Sequence, residues 1–220
     1  MILLQEVRDG DPPIRVTESV RDGARRYYAG PALYTEVDAN GVNRLGYITG
    51  MARQMSGASS LLLLGTAGGA LATLFSRAGG KVTAIDNRST AFELARKWFQ
   101  LPADVECVCA DAVQFLRGTD RRWDAVAIDV FQGTDIPEAM FAADVGAALD
   151  RIVSPGGVVV WNVADSQTAW PVYVIRRIMR VAGFNPQVVP VLDRDVGNTL
   201  VVCRRAMQAP TPGPESRIAA

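Results

Sequence analysis

Three aspartates stand directly behind strand-like apolar runs. Asp86 ends the run Lys81-Val82-Thr83-Ala84-Ile85, Asp111 follows Cys109-Ala110, and Asp129 follows Ala125-Val126-Ala127-Ile128. A fourth run, residues 61–64, ends in the small-residue turn Gly65-Thr66-Ala67-Gly68-Gly69, twenty-one positions before Asp86. A turn with almost no side chains lets backbone approach a ligand, and an acid at the end of the next strand accepts hydrogen bonds from ribose hydroxyls. The pattern therefore fits an adenosine-type ligand. Asp86, with Asn87 beside it, is the candidate ribose acid. Asp111 is the candidate acceptor for the adenine amino group, with Ala112 offering a backbone amide to the ring. Asp129 faces the reactive end. Any one of these acids also reads as a helix cap, and it is their succession after consecutive strands that points to a site.

The chain has no histidine, so imidazole bases, Ser-His-Asp and Cys-His nucleophile systems and most transition-metal sets are excluded. A proton acceptor must then be a carboxylate, lysine, tyrosine, cysteine or the substrate itself. Cys107, Cys109 and Cys203 form no CxxC and have no partner ligand set, so they read as small hydrophobes and no metal is expected. Lys plus Arg equal Asp plus Glu at 23 each, which gives no global field for nucleic acid or an anionic membrane. The longest apolar run is far short of the roughly 20 residues that span a bilayer, and a basic-then-apolar leader is absent from the first residues. The expected location is the cytoplasm, with neither nucleic acid nor membrane as partner.

The elements that must position these residues alternate. Residues 1–42 hold four short β-branched or aromatic stretches (2–7, 14–20, 25–29, 32–37) punctuated by Gly and Pro, a small N-terminal β appendage. Residues 43–55 carry Leu45, Ile48, Met51, Ala52 and Met55 at helical spacing. Strands and helices then take turns: strands near 61–64, 82–86, 105–110, 123–130 and 158–162, helices near 70–77, 90–99, 112–117 and 137–153, the last opened by Pro137. A turn is expected at Pro155-Gly156-Gly157. A helix over 169–182 and two strands, 188–191 and 200–204, complete the order, and the connection between those strands is too short for a crossover helix, so they pair antiparallel. The fold class is α/β: a Rossmann-like, doubly wound, mostly parallel seven-stranded sheet over residues 43–205 with an antiparallel C-terminal hairpin. That hairpin is the layout of S-adenosylmethionine-dependent transferases and argues against a nicotinamide dehydrogenase. Residues 206–220, with three prolines and a glycine, read as a disordered tail.

The succession Leu-Leu-Gly-Thr-Ala-Gly-Gly, Thr-Ala-Ile-Asp, Cys-Ala-Asp-Ala-Val-Gln-Phe-Leu, Trp-Asp-Ala-Val-Ala-Ile-Asp-Val-Phe-Gln-Gly, Ile136-Pro137 and Ser-Pro-Gly-Gly-Val-Val-Val-Trp-Asn resembles the spermidine synthase superfamily. It is similar to the bacterial spermidine-synthase-like proteins that carry VDAFDG followed by IP. The likeness covers roughly residues 25–205, including Gly197-Asn198. It implies aminopropyl transfer from decarboxylated S-adenosylmethionine to a small amine, a homodimer, and a proton-accepting, amine-binding role for Asp129. Two departures stand out. The acid of the family's glycine turn, which grips the donor's ammonium, falls on Gly68. The second acid after strand four is Gln132, and the family's Gln and Tyr-His positions fall near Tyr34 and Val42-Asn43. A lost charge-assisted hydrogen bond costs roughly 1.5–3 kcal/mol, and Asp135 substitutes only if its loop bends back. Phe131 is a candidate lid, and Trp170, with Tyr173, Asn162 and Asp165, a candidate acceptor contact. Three functions stay open: aminopropyl transfer, methyl transfer from intact S-adenosylmethionine to a small molecule, and nucleoside or polyamine binding without turnover.

Overall fold

The computed structural model describes residues 1–165, 167–193 and 196–205; the tail expected over 206–220 lies outside them. Two sheets are present. The first is antiparallel, in the order β1 (Ile2–Val7), β2 (Ile14–Glu18), β3 (Arg25–Ala29), β4 (Ala32–Val37). Helix α1 (Gly46–Gln54) leads from it into the main domain. There, β5 (Ser60–Leu64), α2 (Ala70–Arg77), β6 (Lys81–Asp86), α3 (Ser89–Phe99), β7 (Glu106–Cys109), α4 (Ala112–Gly118) and β8 (Trp123–Ile128) alternate. They are followed by α5 (Ala143–Ile152), β9 (Val153–Val163), α6 (Trp170–Val181), β10 (Phe184–Asp193) and β11 (Val196–Arg205).

The seven-stranded sheet runs β10-β11-β9-β8-β5-β6-β7, parallel except for β11, which pairs antiparallel with both β9 and β10. Its layers follow from the two-residue period of a strand. On β5, Leu61 and Leu63 pack with α1 and α2, while Leu62 and Leu64 pack with α4, α5 and α6. All four are at most 1 % exposed. A strand buried on both faces reads as an unbroken apolar run, as β5 does. The chain leaves β5 toward β6 and β7 on one side and returns to β8 on the other. The order of strands therefore reverses between β5 and β8, where such sheets open a ligand crevice at their carboxyl ends. The small sheet packs Ile14, Val16, Tyr27 and Val37 against Leu94 and Phe99 of α3, which brings β4 up to the mouth of that crevice.

Two stretches differ from the sequence reading. Residues 137–153 do not form one helix: Pro137 caps a 3-10 turn, Glu138–Phe141, extended Ala142 breaks the run, and α5 starts at Ala143. Val153 already belongs to β9, paired with Trp123, and Pro155-Gly156-Gly157 sits in an irregularity where the partner register jumps from Val153 to Val158. The last two strands also extend beyond the expected 188–191 and 200–204, with ten residues each in antiparallel register.

Candidate active site

A cleft of about 330 Å³ opens at the carboxyl ends of β5, β6, β7 and β8, roofed by the small sheet. Gly65, Thr66, Ala67, Asp86, Asn87, Asp111, Ala112 and Asp129 line it, as do Tyr34, Phe131 and Gln132. Gly68 and Gly69 stand behind this lining, and Asp135 and Trp170 stand outside it. Asp135 closes a tight turn with Gln132 but remains exposed. Trp170 is 62 % exposed and meets Phe141 edge-on at 5.0 Å; Tyr173 is 65 % exposed. Neither aromatic is among the residues that line the cleft.

Backbone amides organise Asp86. Asp86 Oδ2 accepts from the N–H groups of Thr66 (3.0 Å) and Ala67 (3.2 Å), and Oδ1 accepts from the Arg88 N–H (3.0 Å). Gly65 allows this at a φ of +83°, and a Cβ there would lie 2.2 Å from the Asp129 carbonyl oxygen, so only glycine fits between β5 and β8. Burial raises the Asp86 pKa, and the three N–H groups together with the Arg88 charge pull it back. Those N–H groups fill three of roughly four acceptor sites on a carboxylate. One site on Oδ1 remains open to a ligand's donor group, and a second donor has to share with the longer Ala67 bond. Asp111 caps α4 through the Gln114 N–H (2.9 Å) while lining the cleft. Capping and ligand-facing placement thus coexist in one residue. Ala112, first in α4, has an amide with no intrahelical acceptor.

Thr35 on β4 explains the missing acid of the glycine turn. Its Oγ1 accepts the Gly68 N–H at 3.1 Å, and a Cβ at Gly68 would meet the Thr35 side chain at 2.8 Å. Thr35 is 2 % exposed. The space an acidic side chain would need is already filled.

Asp129 begins where β8 ends, its N–H bonded to the Leu64 carbonyl. Its Oδ1 accepts from Asn162 Nδ2 at 2.7 Å, and the Tyr47 hydroxyl lies within hydrogen-bonding reach of the carboxyl. Burial pushes the Asp129 pKa up to about 6 against these two hydrogen bonds. The Tyr47 hydroxyl also reaches the Tyr34 carbonyl at 3.0 Å; having one proton, it donates to one of them at a time. Tyr34 bonds the Gly133 carbonyl and meets Phe131 edge-on at 6.3 Å. Its own pKa is pushed up to about 12 by burial, then by Asp129 and Asp86.

Sequence reasoning missed Tyr47 and Thr35 as site residues. A signal existed for Tyr47: it falls four residues before Met51, on the apolar stripe of α1, and a phenol on such a stripe needs a polar partner. Nothing in the sequence marks Thr35. Among the described residues no cluster of three His, Cys, Asp or Glu is placed to hold a metal ion, and no helix is long and apolar enough to cross a membrane.

Comparison with known proteins bears on the fold. The family described as "Methyltransferase domain" matches residues 62–161. The polyamine aminopropyltransferase of Chromobacterium violaceum is 30% identical over 128 residues, covering 56% of this chain and 47% of that protein. A solved structure of a probable spermidine synthase from Corynebacterium glutamicum superposes with a TM-score of 0.76 at 16% identity, covering 91% of this chain and 79% of that one. The chain has a spermidine-synthase-like, class I methyltransferase fold. The matches span about a quarter to about half of the length of the curated relatives. The same class I fold also aligns with the N-methyltransferase NodS from Bradyrhizobium japonicum in complex with S-adenosyl-L-homocysteine, at a TM-score of 0.59 and 20% identity over 72% of this chain and 85% of that one. That alignment covers less of this chain than the Corynebacterium match.

Proposed function

We propose that the protein is a transferase that moves an alkyl group from a sulfonium donor of the S-adenosylmethionine type to a small amine, with aminopropyl transfer from decarboxylated S-adenosylmethionine as the first reading. The observation that carries it is the convergence of Asp86, Asp111 and Asp129 on one cleft at the strand-order reversal. The donor's adenosyl part lies along Gly65–Gly69, Asp86 and Asp111, and the acceptor amine lies beside Asp129. Asp129 orients the amine by hydrogen bonding. As the nitrogen lone pair forms the new C–N bond and the C–S bond breaks to leave a neutral thioether, Asp129 accepts the proton the nitrogen sheds. A sulfonium is already a good leaving group, so positioning, desolvation and one base suffice.

Thr35 favours a second reading, methyl transfer from intact S-adenosylmethionine. With Gly68 closed off, the turn presents no carboxylate to a cationic aminopropyl tail, whereas a tail bearing both ammonium and carboxylate needs no net charge opposite it. Thermal stabilisation by each donor, followed by mass spectrometry of amine acceptors, separates the readings. A gain of about 57 Da marks aminopropyl transfer and about 14 Da methyl transfer. Donor binding with no product from either, unchanged in D129N, overturns both in favour of a binding protein.

A further inference from the structure

Asn162 is 2 % exposed at the end of β9, and its amide is the direct neighbour of the Asp129 carboxyl. An asparagine amide has a donor end and an acceptor end of nearly equal size, so packing alone does not decide which end faces the acid. The carboxylate, which can only accept, takes the Nδ2 end, and a third residue holds the other end. Asn198, on β11, donates from Nδ2 to Asn162 Oδ1 at 2.9 Å. Both ends of the Asn162 amide are thus engaged, Nδ2 by Asp129 and Oδ1 by Asn198. The register explains the meeting: Leu200 pairs with Asn162, and Asn198 lies two residues before Leu200, hence on the same face of the sheet.

We infer that Asn198 is a positioning residue that acts through Asn162, helping to hold Asp129 as an aimed, ionised acceptor by restraining the far end of the Asn162 amide. A carboxylate accepts and cannot donate, so it matches the observed direction; a protonated carboxyl needs an acceptor, which the chain supplies only if both amides reverse. The other ionisable groups around the acid are Tyr47 on α1, within hydrogen-bonding reach, and Tyr34 on β4, which in turn feels Asp86. Among the described residues no cation pairs with Asp129, so neutral donors must do the work an arginine would do elsewhere. The amide chain is the part of that donor set that a substitution can loosen without removing a group that touches the acid. The inference deepens the proposed role of Asp129, and its test does not depend on turnover.

The experiment follows the side-chain carboxyl carbon of Asp129 by NMR in protein labelled at aspartate, the signal being assigned by its loss in D129N. The titration midpoint is compared in the unsubstituted chain, N162L and N198L. Loss of the Asn162 donor is expected to raise the midpoint by about one unit, the equivalent of one charge-assisted hydrogen bond. N198L, which removes only the lock on Asn162 and leaves Asp129's neighbours in place, is expected to raise it by a smaller amount in the same direction. Where either donor gives product, the acid limb of kcat/KM moves by the same increments with donor KM unchanged. Identical midpoints in all three proteins, with only thermal stability lowered in the variants, overturn the inference. If the midpoints move while neither donor gives product, the inference stands and the proposed reaction falls. Should N162L fail to fold, N198L alone decides, because Asn198 is only partly buried.

Discussion

The two halves of the cleft are built on different principles. On the donor half, each acid sits immediately after its strand and is held by N–H groups of nearby loops: Asp86 by the turn that begins at Gly65 and by Arg88, Asp111 by the first turn of α4. On the acceptor half, one carboxyl is held by side chains from α1 and β9, with β4 and β11 behind them. The first arrangement uses fixed backbone dipoles, which keep their direction when the protonation state changes. The second uses rotatable amides and phenols, whose direction is set by their own partners. A half built from backbone is robust to side-chain replacement nearby; a half built from side chains can be retuned by a single substitution.

This contrast can be broken or sharpened by substitution, beginning with the largest effect. In D129N the rate of product formation should fall by about 10²- to 10⁴-fold, the range for losing a positioned general base, while calorimetry finds donor affinity unchanged. A fall in donor affinity of similar size would erase the boundary between the halves. The same variant should be more stable than the parent above neutral pH. The folded-state pKa of Asp129, about 6, lies above its ordinary value, so its contribution to stability is fully present below about pH 4 and is lost as pH rises through about 6. That rise above the ordinary carboxylate value corresponds to about 3 kcal/mol. Urea unfolding at pH 4 and pH 8 should show D129N gaining on the parent only at the higher pH. On the donor half, D86A should weaken donor binding about 10- to 100-fold through the lost charge-assisted bond and the loosened turn, with no upward shift in the acid limb of the pH profile. The smallest effect tests the closed position: G68D should destabilise by about 1–3 kcal/mol through overlap with Thr35, and T35A should recover part of that loss. Full tolerance of G68D would reopen the turn to an acidic anchor.

The donor half was the legible half, for the reason that also makes it robust. Its residues are contiguous with strands whose apolar runs declare themselves, so Gly65, Asp86 and Asp111 could be placed from local pattern alone. Asp129 was legible on the same ground, but its surroundings were not. Asn198 reaches Asn162 only through the register of an antiparallel pair, and Tyr47 reaches the acid only because α1 crosses the end of β9; neither distance is written in local sequence. Trp170 and Tyr173 failed as pocket residues because a helix start near the rim does not say which way its first turn faces. The helix expected over 137–153 failed because Pro137 fits a first helical turn equally well in a 3-10 turn, and because Val153 is already paired with Trp123 in β9.

Arg88 ties the small sheet to Asp86, the proposed ribose acid. Its guanidinium bonds the Pro12 carbonyl (2.8 Å) and the Asp9 carboxylate, Thr90 also bonds Asp9, and its own N–H bonds Asp86. The tip of the first hairpin is thereby fastened to the residue that a nucleoside would grip. Fraying of that hairpin and release of the nucleoside are then linked equilibria: a compound seated on Asp86 must slow amide hydrogen exchange along β1 and β2, even though it touches neither strand's far end.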